Sequence, residues 1–461
     1  MLPANIDLRA QLAAVDASIA QLKLRLKALE DVRSPIQRQL DSIVYPVLSL
    51  PPEITSKIFL HCLPPPPVSS SRKNIGPRTT LAPLLLLRIC RVWREIALST
   101  PHLWNVLHID TTAIGTRIWS TTVVPDWFGR AGSCPLTFSL KNKRPIAHRL
   151  SAILSPLTSR LQNLYLDVPD QLEKFAETGP FPILETLAIC HPRPSELDAP
   201  LKSFPTAPRL HHILFVAAKI PSLWIIPPSV RKVSCDAMSV NGCIDLLQRA
   251  PFLEELSCYV HFDSPRTEII THNHLETLHL SGRLTGFIRI FRLPALHNLY
   301  LSDFEPEGNL DHFPSFLAST SVRRFHAAQE ISSLAVEWFT TSMPGLVDLE
   351  LFNPELQFFR EFFETLDRAK EPGFLPHLRT LVFRECVFEL DASMLQALSS
   401  RSTADSDTAI LESFQQIWPL YPGVRKFYGL PPLDDSVITA CRELVKLGMS
   451  VHVGPVDKNW V

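Results

Sequence analysis

A repeating apolar spacing limits what this chain can fold into more than any other feature it has. From residue 161 onward the pattern L-x-x-L-x-L returns ten times. Its first members are Leu161-Leu164-Leu166, Leu184-Leu187-Ile189, Leu210-Ile213-Phe215, Val230-Val233-Cys235 and Leu253-Leu256-Cys258. It continues with Leu275-Leu278-Leu280, Leu296-Leu299-Leu301, Val322-Phe325-Ala327, Leu346-Leu349-Leu351 and Leu378-Leu381-Phe383. The start positions lie 20 to 32 residues apart, by subtraction of those numbers. Alternation at the end of each unit describes a short strand with one buried face. One such strand cannot cover its own leucines, so neighbouring units must stack and share a core. A proline stands two residues before the strand start in seven of the ten units: 182, 208, 228, 251, 294, 344 and 376. Proline there is expected to end the preceding segment and turn the chain into an extended conformation.

Segments between the strands read as short helices at 243–249, 336–341 and 358–370. Leu136-x-Phe138-x-Leu140 reads as an early capping strand. Leu444, Leu447, Val451 and Val453 suggest a terminal helix and strand, while the small polar run 400–408 reads as a loop.

The N-terminus carries a different period. Leu8, Leu12, Val15, Ile19, Leu22, Leu26 and Leu29 alternate in steps of four and three. Arg33 interrupts the seam, and Ile36, Leu40 and Ile43 resume it. This is the a/d spacing of a coiled coil. Ser34-Pro35 is expected to end or kink the helix. Two readings stand: packing on its own chain, or weak self-association through residues 8–43. The flanking positions (Arg9, Asp16, Lys23, Glu30 and Gln11, Ser18, Arg25, Val32) form no evident complementary charge code, so the first is preferred.

Between these regions lies a split segment. It opens with Leu50-Pro51-Pro52-Glu53-Ile54 and closes with Ile89-Cys90-Arg91-Val92-Trp93-Arg94-Glu95-Ile96-Ala97. Ile54, Ile58, Phe59 and Cys62 recur at helical spacing, and so do Leu85, Ile89, Val92, Trp93 and Ile96. Residues 64–80, rich in Pro and Ser, separate the halves.

The split segment resembles the F-box, from which the 64–80 insertion is the main departure. The repeats resemble leucine-rich repeats: Leu378-x-x-Leu381-x-Phe383-x-x-Cys386-x-Phe388 matches the fuller consensus, whereas Pro169, Phe304 and Pro354 stand where an Asn or Cys belongs. The combination is similar to F-box/leucine-rich-repeat proteins, and the leading heptad helix is similar to F-box-like proteins of mushroom-forming fungi. The resemblance implies an α/β chain: a coiled-coil-like helix over 1–45, a small helical F-box over 46–105, and a solenoid over 106–461 built as a curved parallel sheet with outer helices or loops.

It also implies an adaptor in which the F-box docks a Skp-type adaptor and through it a cullin. Leu50, Pro51, Ile54, Ile58 and Phe59 would present the first docking face, and Val92 and Trp93 would complete the small core or touch the partner. Strand alternation puts Tyr165, Ala188, Leu214, Ser234, Ser257, His279, Tyr300, His326, Glu350 and Val382 in an outward row, with Arg384 beside it, and the repeats would hold a protein target on Tyr165, His279, Tyr300, His326, Glu350 and Arg384. The alternative reading is a non-degradative interaction scaffold with a divergent F-box.

Composition agrees with an interaction protein. The net charge of −1 creates no global field toward nucleic acid or an acidic membrane, and no stretch is long and apolar enough to span a bilayer. No secretory signal is evident, and nine scattered cysteines without a C-x-x-C suit reduced thiols in the cytosol or nucleus. Phosphate-binding glycine loops, H-E-x-x-H and G-x-S-x-G are all missing, so no enzyme activity and no cofactor are expected. His272 and His274 read as a surface pair and not as metal ligands, since no Cys or carboxylate set accompanies them.

Overall fold

The computed structural model describes residues 3–42, 49–64, 79–110, 123–141, 152–167, 179–190, 206–216, 226–261, 268–304, 312–328, 336–402, 409–419, 434–456, 459 and 461. The seam's last member Ile43, most of the 64–80 insertion and residues 403–408 lie outside them. The chain divides into two compact units: described residues up to Leu103 belong to the first and those from Trp104 to the second.

The first unit begins with α1 (Pro3–Ser42), which continues through Pro35. The helix does not end at Ser34-Pro35. Proline removes one N–H, and the carbonyl four residues earlier loses its donor. Here that carbonyl, on Asp31, lies on an exposed helix where water can serve it, and the Ser34 hydroxyl donates to the neighbouring Glu30 carbonyl at 2.9 Å. Helix α2 (Pro52–His61) starts where two prolines permit it, because the first turn needs no amide donor. The Pro51 carbonyl accepts from the Ile54 and Thr55 amides at 3.0 Å.

The second apolar stretch is not one helix. A single 3₁₀ turn (Leu86–Arg88) is followed by Cys90 in an extended conformation and then α3 (Arg91–Leu98). Cys90 caps α3, its sulfur accepting from the Trp93 amide at 3.5 Å. Phe59 packs on Trp93 with ring centroids 4.9 Å apart, and the Ser56 and Thr100 hydroxyls are 3.0 Å apart.

The second unit is a parallel sheet of fourteen strands among the described residues. They start with β1 (Val106–Asp110), β2 (Leu136–Lys141), β3 (Leu161–Asp167), β4 (Thr186–Cys190), β5 (His212–Val216), β6 (Lys232–Ser239) and β7 (Glu255–His261). After the short β8 (Ile270–Thr271) come β9 (Thr277–Gly282), the short β10 (Phe291–Arg292), β11 (Asn298–Phe304), β12 (Arg324–Ala327) and β13 (Asp348–Phe352). The sheet ends with β14 (Thr380–Arg384), β15 (Ser413–Trp418) and β16 (Ser450–Pro455). β8 and β10 pair separately; every other strand pairs with the next in sequence. The leucines of the repeat face one side and are buried, Leu164, Leu187, Leu256, Leu278 and Leu299 completely.

All seven prolines noted above share one geometry. The amide of the first apolar residue of the repeat donates to the carbonyl three residues back: Leu184 to Phe181, Leu210 to Ala207, Val230 to Pro227, Leu253 to Ala250, Leu296 to Leu293, Leu346 to Met343 and Leu378 to Leu375, at 3.0 to 3.3 Å. Each proline is thus the second residue of a β-turn, where its fixed φ fits. It sets a turn into the strand; it does not simply begin the extended segment.

The next residue joins the repeats. The amides of Glu254, Glu276, His297, Arg323 and Val347 donate to the carbonyls of Arg231, Glu254, Glu276, His297 and Arg323, each one repeat back.

Helices cover the buried face. They include α4 (Val124–Arg130), α5 (Val240–Arg249), α6 (Thr285–Ile290), α7 (Phe313–Ala318), α8 (Val336–Ser342), α9 (Leu356–Leu366), α10 (Ala392–Ser400) and α11 (Asp435–Lys446). The expected helices at 243–249 and 336–341 match α5 and α8, and the one at 358–370 is shorter. In the later repeats aromatic rings fill the layer. Phe339 meets Phe325 edge-on at 6.0 Å, and Phe359 and Phe363 reach Phe383 at 4.9 and 5.9 Å.

Both ends differ from expectation. The sheet starts one strand before β2, at β1, over which Trp127 donates to the Val106 carbonyl at 3.1 Å. Trp104 is buried against Trp127, and the Arg130 guanidinium lies 4.6 Å over its ring. Near the other end the apolar spacing does not reveal β15, because the third inward position holds Gln416 where the pattern has Leu. That buried amide donates to the carbonyls of Phe388 and Cys386 at 2.6 and 3.2 Å. The terminal helix and strand are present as α11 and β16. On the free side of β16 the Asn459 side chain accepts from the Val453 amide at 3.1 Å and donates to the Val451 carbonyl at 2.9 Å.

Burial holds the pKa of His108 in β1 and of His212 in β5 down to about 4, with Lys232 adding to the effect at His212. An unfolded chain protonates these rings near pH 6.5. Between those values the unfolded state binds protons that the folded state refuses, so stability falls as pH drops. Each ring contributes a slope approaching about 1.4 kcal/mol per pH unit, and none above pH 6.5. Urea midpoints measured from pH 7 to 4 should decline steeply, and His108→Gln with His212→Gln should flatten that decline.

Candidate interaction surfaces

Two surfaces emerge, one in each unit. In the first, α2 divides its apolar residues between two faces. Thr55 and Phe59 turn into the unit, joined by Leu86, Ala97 and Leu103. Leu50, Ile54 and Ile58 stay exposed, at spacings of four, and so do Leu85, Ile89 and Val92. Pro51 is exposed beside Leu50. Phe59 therefore does not belong to a docking face. Its ring is 1 % exposed and is held against Trp93, itself half-buried, so these two aromatics form the core that presents the remaining residues. The break at Cys90 matters here, because it redirects α3 so that Trp93 packs inward while Val92 stays outside.

In the second unit the register aligns the expected outward row without a slip. Tyr165, Ala188, Leu214, Ser234, Ser257, His279, Tyr300, His326, Glu350 and Val382 are successive cross-strand partners, and Ser139 on β2 extends the row by one strand. The row is not uniformly open. Ser139, Ala188, Leu214 and Val382 are buried, whereas the positions from Ser234 to Glu350 are half-exposed.

Four of the six expected residues lie in that open stretch and, with Arg384 from β14, form one connected series. His279 stacks on Tyr300 with centroids 4.1 Å apart and planes 4° from parallel. Tyr300 meets His326 at 5.8 Å. His326 Nδ1 is 2.9 Å from Glu350 Oε2, and Arg384 Nε bonds the other carboxylate oxygen. Tyr165 stands apart on β3, five strands from β9, which at about 4.8 Å per strand is roughly 24 Å away. Burial raises its phenol above the ordinary value and lowers His279 below the ordinary imidazole value. For Glu350, burial opposes ionisation, but the bonds from His326 and Arg384 outweigh it and hold the carboxyl below its usual range.

Charges beside the row pair across strands. Lys232 Nζ lies 2.6 Å from Glu255, Arg324 Nε lies 2.8 Å from Asp348, and Lys141 Nζ lies 3.4 Å from Asp167. Such exposed pairs add little stability, but they leave the face near neutral and rich in aromatic and polar groups.

His272 is buried, contrary to the expected surface pair. Directly after β8 its amide donates to the Arg292 carbonyl and its ring points inward, where Nε2 lies 3.0 Å from the Ala250 carbonyl, and His274 alone stays exposed. Cys235 and Cys258, neighbours in register, are buried as inward residues. Among the described residues no His, Cys, Asp and Glu side chains gather as a metal site, and no helix is long and apolar enough to cross a membrane.

No protein-family model matches the chain, and no curated protein matches it.

Glu350 should act as the electrostatic clasp of the outward row. Its depressed pKa contributes stability that is complete above the unfolded Glu value and is lost as pH falls through the folded one. Glu350→Gln should cost about 1 to 2 kcal/mol at neutral pH. That deficit should vanish in strongly acidic buffer, as read from paired denaturation curves.

Proposed function

We propose that this chain is a substrate-recruiting adaptor of a Skp–cullin–F-box ubiquitin ligase, with a target protein held by a leucine-rich-repeat solenoid. In this reading Leu50, Pro51, Ile54, Ile58 and Val92 dock the Skp-type adaptor. Phe59 and Trp93 build the small core that holds them in place. The adaptor connects to a cullin and the conjugating machinery, while the chain performs no bond chemistry of its own. Its contribution is effective concentration: a target bound to the repeats stays near the activated ubiquitin.

One observation carries the proposal. The pair α2 and α3 turns its aromatics inward yet leaves Leu50, Ile54 and Ile58 in an exposed row, with Val92 also uncovered. Apolar residues at one helical spacing on an exposed surface suit a protein partner. The His279–Tyr300–His326–Glu350–Arg384 series supports target binding in the same way. Interface centres favour aromatic and arginine side chains, and the paired charges leave no stripe that would favour nucleic acid.

Co-purification with a Skp adaptor is the deciding experiment. Ile54→Lys with Ile58→Lys should abolish retention while leaving the thermal transition of the chain in place, because both side chains are already exposed. Retention by that variant, or no retention by the unaltered folded chain, would remove the ligase reading and leave a non-degradative scaffold.

A further inference from the structure

The seam of α1 is covered by nothing among the described residues. Its apolar side chains from Leu8 to Leu40 are between 44 % exposed, at Ile19, and 66 %, at Leu22. Among the described residues α1 does not pack on its own chain, the reading preferred from the sequence. The helix spans 40 residues, about 60 Å, and its apolar stripe runs from Leu8 to Leu40 with one break at Arg33. A surface of that length and heptad spacing fits another helix of the same kind.

The charges choose both partner and direction. The position just after each d residue reads Arg9, Asp16, Lys23, Glu30, alternating in sign at seven-residue steps. In a parallel pair these residues face the row Gln11, Ser18 and Arg25, and only Arg25 finds an opposite charge, at Glu30. That is why no code is evident when the coil is read parallel. In an antiparallel pair the same row faces itself. Aligning Ile19 on Leu22 of the partner subunit, and Leu12 on Leu29 of the partner subunit, sets Arg9 against Glu30 of the partner subunit. It also sets Asp16 against Lys23 of the partner subunit. With the symmetry mates, all four contacts of this row are attractive.

Arg33 separates the two arrangements further. It occupies an a position in the seam. A parallel pair stacks it on its own copy, burying two like charges together, which is strongly unfavourable. The antiparallel register sets it against Leu8 of the partner subunit near the end of the overlap, where its long stem can lie on the leucine and its head reach water.

We infer that α1 joins two copies of this chain as an antiparallel two-stranded coiled coil. The inference is independent of the ligase reading and uses none of its residues.

Sedimentation equilibrium of the intact chain tests it. The expected species is a dimer of the 51.9 kDa chain at micromolar concentration. Asp16→Lys alone and Lys23→Asp alone should each weaken the dimer roughly tenfold, because two central contacts turn repulsive. Mixing the two variants should restore association, since each supplies the charge that the other lacks. Ile19→Lys with Leu22→Lys should give a monomer whose thermal transition matches that of the unaltered chain, which separates lost association from lost folding. A monomeric unaltered chain overturns the inference. So does a dimer that is indifferent to both single charge changes, one that the mixture fails to restore, or one that survives the seam variant.

Discussion

The second unit depends on a bond that crosses from each repeat to the one before it. The first amide after every turn goes to the equivalent carbonyl one unit back, for example Glu276 to Glu254 and His297 to Glu276. Among the described residues every strand of the long sheet pairs in parallel, so its backbone is satisfied by the repeats on either side. The same stacking buries the leucines, since a single repeat has one apolar face and no second layer. Hydrogen bonding and apolar burial therefore demand the same register, and the proline turn delivers it. Closing the turn fixes where the strand begins, and a slip of one residue would exchange the buried and exposed faces.

Fixed register is also what assembles the outward face. His279, Tyr300, His326 and Glu350 lie in four different repeats, 21, 26 and 24 residues apart by subtraction of their numbers. Their contacts exist because parallel pairing places equivalent residues side by side. In the first unit the small core has a comparable effect, since the Phe59–Trp93 contact fixes α2 and α3 so that their remaining apolar residues face out.

Much of this is legible in the sequence where period and residue type agree. Ten strands and the order of the outward row follow from the apolar spacing alone. The failures are local and physical. Gln416 hides β15, because a buried amide with two carbonyl partners is equivalent to a leucine in the fold but not in a pattern of apolar letters. Strand β1 lacks the proline signal and lies alone before the repeats. Pro35 predicts an interruption of α1, yet on an exposed helix the carbonyl that loses its donor is open to solvent and the helix runs on. Cys90 reads as part of a helix because a sulfur cap has no strong signature. Ala188 and Leu214 belong to the row expected to be open, but alternation assigns a side without saying whether that side is covered. Phe59 is the converse: helical spacing places it beside Ile58, and only the position of Trp93 decides which of the two turns inward.

A sheet built by adding one parallel strand after another has no internal reason to stop, because its last strand presents the same unpaired groups as every strand before it. The Asn459 side-chain amide supplies a donor and an acceptor where a further strand would supply backbone. It occupies the Val451 carbonyl and the Val453 amide on the growing edge. One side chain thus blocks, at these two groups, the pairing that a further strand would use, much as a capping residue closes the end of a helix.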